Sequence, residues 1–96
     1  MKIVHNSQNV IKHPKQALLK LEEKVTQSLL KKETINIKAF SSELHDIGDA
    51  FVNRNEIECL NKHGKRLAET LVKLGDNNLA GIIYSLMIRL NPKQTT

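Results

Sequence analysis

Apolar residues recur every three or four positions in four separate stretches of this chain, and polar turn residues separate the stretches. Leu18, Leu21, Val25 and Leu29 form the first stripe, which predicts an amphipathic helix over residues 14–31. Pro14 suits its first turn, where a missing N–H costs nothing, and Lys31 and Lys32 fall at its end, where cations favour the helix dipole. Ile37, Phe40, Leu44, Ile47 and Phe51 then step by 3, 4, 3 and 4, a narrow seam like that of a coiled coil. Thr34 or Asn36 is placed to cap this second helix. Asn53, Arg54 and Asn55 read as a turn, and Asn55 with Glu58 three residues on resembles a capping box opening a third helix. That helix carries Ile57, Leu60, Gly64, Leu67, Leu71 and Leu74 and stops at Gly75. Asp76 caps a fourth, striped by Leu79, Ile83, Leu86 and Leu90, widened by Ile82 and Met87, and ended by Asn91-Pro92. The expected fold is all-α: about four amphipathic helices packed as an antiparallel bundle or as stacked helical hairpins.

Outside the stripes the chain is plainer. Residues 1–13 show no sustained period and are expected to form a loose or extended arm, residues 14–92 one helical domain, and residues 93–96 a polar tail. Gly48, Gly64 and Gly81 lie inside helical patterns, where each costs about 1 kcal/mol relative to Ala. They read either as locally tolerated or kinked positions or, at Gly64, which lies on its seam, as room for close approach of another helix backbone.

Composition narrows the classes. Ninety-six residues with 40% apolar and 26% charged positions describe one globular domain, and 3% aromatic content makes the core aliphatic. No run of about 18 apolar residues is present, so a membrane span is excluded. The opening MKIVHNSQNV lacks the apolar stretch of a signal peptide, and Cys59 is the single cysteine, so the expected compartment is the cytoplasm. The net charge of +5 is unevenly spread: residues 1–32 set seven lysines against two glutamates, residues 33–58 two bases against six acids, residues 59–96 six bases against two acids. Such blocks suit helices that attract one another or a partner with complementary patches.

Candidate chemistry is sparse. His45 with Asp49, and Cys59 with His63, stand four apart and can each share a helix face, yet neither pair makes a metal site by spacing alone. No serine has the glycine context of a nucleophile elbow, and no glycine-rich loop could cradle a phosphate, so no enzyme, cofactor or metal is expected. His63 with Arg66 three residues later is superficially similar to phosphotransfer bundles, although Leu67 stands where that family places a small residue. Lysines at 12, 15, 20, 24, 31, 32, 62 and 65 could neutralise nucleic-acid phosphates, but Arg54, Arg66 and Arg89 sit on different elements and offer no shared reading face.

One stretch carries a family resemblance. In LAETLVKLGDNNLAGIIYSLMIRLNP, Leu67, Ala68 and Leu71 precede Gly75 at the turn, followed by Ala80, Tyr84 and a terminal Leu90-Asn91-Pro92. The arrangement resembles one tetratricopeptide repeat over residues 64–92, with Gly64 and Met87 departing from the family's pattern. The resemblance implies a helical hairpin scaffold that holds a peptide or helix in a groove. Together these features lead us to expect a small non-enzymatic adaptor, chaperone or regulator that binds a partner helix or peptide, or a second copy of itself, through an apolar seam. Phe40, Leu44, Ile47, Phe51, Leu60 and Leu67 are the expected contact residues. A nucleic-acid-associated regulator and a phosphorelay bundle using His63 are the alternatives.

Overall fold

The computed structural model describes residues 11–91, so residues 1–10 of the expected 1–13 arm and the tail at 93–96 lie outside the described residues. It contains four helices, α1 (Pro14–Leu30), α2 (Ile37–Asn53), α3 (Ile57–Lys73) and α4 (Asn77–Leu90), and no strand among the described residues. The all-α expectation is met. Ile11, the first described residue, already packs against the core.

The ends of the helices follow local chemistry. Pro14 occupies the first turn of α1, Asn36 Oδ1 accepts from Ala39 N at 3.0 Å to cap α2, and Asp76 Oδ1 accepts from Leu79 N at 3.0 Å to cap α4. Three helices stop in the same way. Lys32, Asn55 and Gly75 each adopt positive φ (62°, 59° and 91°) just past α1, α2 and α3. The next residue's N–H turns back to a carbonyl five residues upstream: Glu33 to Ser28, Glu56 to Phe51 and Asp76 to Leu71, all within 2.8–2.9 Å. Asn55 is therefore the left-handed terminator of α2 and not the cap of α3; Glu56 holds that cap position without a side-chain hydrogen bond. Lys31 and Lys32 likewise follow α1 and lie outside its last turn.

Two hairpins, α1/α2 and α3/α4, stack on one another. Each helix touches the partner in its own hairpin, α1 also lies beside α3 and α2 beside α4, while α1 and α4 barely meet. In a simple up-and-down ring α1 and α4 would be neighbours, so the second of the two expected arrangements is the one realised. A polar link fastens each side of the resulting square. Lys24 Nζ meets Glu43 at 3.1 Å between α1 and α2, and Arg66 Nη2 meets Glu22 at 2.7 Å between α3 and α1. Arg89 Nη2 donates to the His45 ring at 2.8 Å between α4 and α2. Asn61 and the buried Asn91 exchange two amide hydrogen bonds of 2.9 Å, which tie the start of α3 to the end of α4.

Inside the square the four stripes meet. Leu18, Leu21 and Val25 of α1, Phe40, Leu44, Ile47 and Phe51 of α2, Leu60, Leu67 and Leu71 of α3, and Leu79, Ile83 and Leu86 of α4 form one aliphatic core. Fully burying each large side chain contributes about 1.5–3 kcal/mol, so this core is the main source of stability. The helical glycines serve it unequally. A Cβ on Gly48 would stand 2.9 Å from Leu90 Cδ1 and 3.1 Å from Leu86 Cδ2, and one on Gly64 2.8 Å from Met87 Sδ. At Gly64 a side chain of α4 fills the space, not the approaching backbone that the sequence suggested. A Cβ on Gly81 would meet nothing within 4 Å. We expect Gly64→Leu to lower stability by about 1–3 kcal/mol through overpacking. Gly81→Ala should raise it by about 0.5–1 kcal/mol through helix propensity. Urea denaturation of dilute protein checks both.

Candidate functional site

The six expected contact residues do come together, but inside the molecule. Phe40, Leu44, Ile47, Phe51, Leu60 and Leu67 are each no more than 3% exposed. Their placement corrects the expectation that they offer a seam to a partner. Two stacked hairpins close these six positions against other helices, and a partner could reach them only by opening the fold; of the α2 seam, Ile37 alone is left exposed.

Exposed large apolar side chains lie elsewhere: Leu30 on α1, Ile37 and Val52 on α2, Val72 on α3, and Tyr84 and Ile88 together on the back of α4. The sequence of this helix, NNLAGIIYSLMIRL, holds a single charged residue, Arg89. By helical geometry Asn77, Gly81, Tyr84, Ser85 and Ile88 share its outward arc, and all five are exposed. Ile88 is 67% exposed and Tyr84 38%. The other helices place charge among their exposed positions: Lys15, Glu23 and Lys24 on α1, Lys38 and Asp49 on α2, Glu58, Lys62, Lys65, Arg66, Glu69 and Lys73 on α3. A groove of about 380 Å³ runs along the α2 side of this face between Ser41, His45, Asn78, Gly81, Ser85 and Arg89. It owes its depth to the short side chains of Gly81 and Ser85, and the Arg89–His45 contact lies at one end.

No family model, curated protein or solved structure matches this chain.

The remaining candidates are disposed differently from what spacing suggested. His45 is engaged by Arg89. Among the described residues no three His, Cys, Asp or Glu side chains lie together so as to share a metal ion. Cys59 is half-buried and unpaired on the wall of an open cleft of about 1070 Å³ at one end of the bundle, whose rim mixes Lys12, Lys15 and Arg54 with Glu56 and Glu58. The three arginines are each engaged within the fold, Arg54 by Glu56, Arg66 by Glu22 and Arg89 by His45. Among the described residues no helix is long and apolar enough to cross a membrane.

His63 lies at the junction of α3 and α1. Its Nδ1 is buried without a hydrogen-bond partner. Burial lowers its pKa below the usual 6.5; the positive charges of Lys15, Arg66 and Lys62 push the same way, and Glu22 opposes them. The unfolded chain therefore takes up this proton at higher pH than the folded one. Stability falls as pH drops from neutrality through 6.5, until the native imidazole protonates as well. We expect His63→Gln to flatten that part of the pH dependence, read as the shift in urea midpoint between pH 7.5 and 5.5 for the two proteins. An equal shift in both would show that His63 contributes nothing to it.

Proposed function

We propose that this chain is a non-enzymatic helical interaction module that binds another polypeptide through the outward face of α4. One observation carries the reading: α4 leaves Gly81, Tyr84, Ser85 and Ile88 facing solvent, with Arg89 its single charge. A helix that only covers a core gains solubility from charges on its back, as the other three do. An uncharged back with a large aromatic and a large aliphatic residue instead suits contact with an apolar surface, and tyrosine is among the residue types enriched at such contacts. The tetratricopeptide resemblance of residues 64–92 is compatible with a scaffold role of this kind. A cytoplasmic location fits the lone cysteine.

A second reading rests on His63. Its imidazole is held neutral at physiological pH beside Lys15, Lys62 and Arg66, which could steady a phosphoryl group. Acid-labile phosphate on His63 after exposure to a small phosphodonor would support this phosphorelay role. The nucleic-acid reading draws on the lysine-rich faces alone and gains no grouped arginines, since all three are paired on separate elements.

The α4 reading is tested with a photo-crosslinking amino acid placed at Tyr84, or at Lys65 on α3 as the control. Irradiation in extract of the source cells should give adducts from position 84 and none from 65. Adducts from both positions, or from neither, would sink the reading.

A further inference from the structure

We infer that the partner seated on α4 is a second copy of this chain, with the two α4 helices packed antiparallel about a twofold axis between Tyr84 and Ser85. The inference rests on the reading of α4 as the contact face. It begins from Gly81, which weakens its helix and relieves no clash inside the fold, because a Cβ there would meet nothing. The missing side chain leaves a gap in the exposed face. Seven residues on, two turns along the same arc, Ile88 projects as the most exposed large apolar residue of the described chain. A gap and a projection on one line make a face that fits its own inverted copy. When two α4 helices run antiparallel with the axis at the midpoint of 81 and 88, each Ile88 enters the space at Gly81 of the other copy. The same operation brings the two Tyr84 rings together on one rim and the two short Ser85 side chains together on the other. The Ile88–Gly81 contact occurs twice and the Tyr84 and Ser85 self-contacts once each across the axis, as an isologous interface demands.

Charge decides which face two copies could share. Each copy carries a net +5, so two copies repel at long range. The faces of α1, α2 and α3 would bury charged groups on contact, whereas α4 against α4 buries none before Arg89 at its end. The area available is small. A 14-residue helix is ~21 Å long and supplies roughly half of the ~800 Å² that a standard interface takes from each partner. The dimer consequently belongs with the small, weak interfaces whose population depends on protein concentration.

The sole tyrosine lies at the axis and the chain has no tryptophan, so intrinsic fluorescence reports on the interface directly. Sedimentation equilibrium up to about 1 mM should show monomer and dimer, with Tyr84 anisotropy rising over the same range. In a Cys59→Ser background, oxidation should link Ser85→Cys to itself. Gly81→Cys alone should stay unlinked, since its two copies are ~10 Å apart along the axis, but should link to Ile88→Cys when the two proteins are mixed. Gly81→Leu fills the gap and should weaken the dimer by about tenfold or more while the melting temperature of dilute protein holds or rises. A wild-type chain that stays monomeric, self-linking of Gly81→Cys, or a Gly81→Leu dimer of unchanged affinity would each overturn the inference. Position-84 adducts to other proteins from a chain that is monomeric would refute self-association while leaving the contact face standing. No adduct to any protein, this chain included, would remove both.

Discussion

Closure of the aliphatic seams between two stacked hairpins is the constraint from which the rest of this structure follows. The chain has few aromatic residues and one small core, so its regular 3-4 stripes are needed inside. Placing α1 beside α3 and α2 beside α4 covers all four stripes at once and leaves α1 and α4 at opposite corners. The polar links then decide register rather than bulk stability. Lys24–Glu43 is largely exposed and contributes at most about 1 kcal/mol. The paired amides of Asn61 and Asn91 matter more, because Asn91 is buried and would otherwise lose its water without replacement.

Most of this architecture was legible in the sequence because helices are local. Stripes at 18-21-25, 40-44-47-51, 60-67-71 and 79-83-86 gave four helices close to their observed limits, and Asn36, Gly75 and Asp76 end them as their chemistry suggests. Asn55 departs from its expected role for a physical reason. Asparagine is favoured both before a helix, where its side chain accepts an N–H, and after one, where it tolerates positive φ. Only three residues separate α2 from α3, so the same asparagine satisfies both patterns, and the left-handed turn closing α2 is the one formed.

The candidate surface was much less legible. A sharply stepped seam draws attention because it is regular, yet regularity is what a core requires, and Phe40, Leu44, Ile47, Phe51, Leu60 and Leu67 are buried for that reason. The back of α4 is marked by an absence, the lack of charge from Asn77 to Ile88. Such a gap has meaning only after the fold shows which side faces out. The surroundings of His63 are non-local in the same sense. Lys15 and Glu22 come from α1, some forty residues earlier, and no spacing rule connects them to a histidine on α3.

The three glycines inside helices show how one residue type serves separate ends. Gly48 makes room for Leu86 and Leu90, and Gly64 for Met87, so each exchanges helix propensity for contact between neighbouring helices. Gly81 gives up the same propensity and receives nothing from within the molecule. α4 packs against both α2 and α3, so its inner side is fixed by two neighbours. A rigid face loses little entropy on contact, and a gap in a rigid face keeps its shape until something fills it. On the proposed reading of α4 as a contact face, the opening at Gly81 is the place where a partner's side chain would sit.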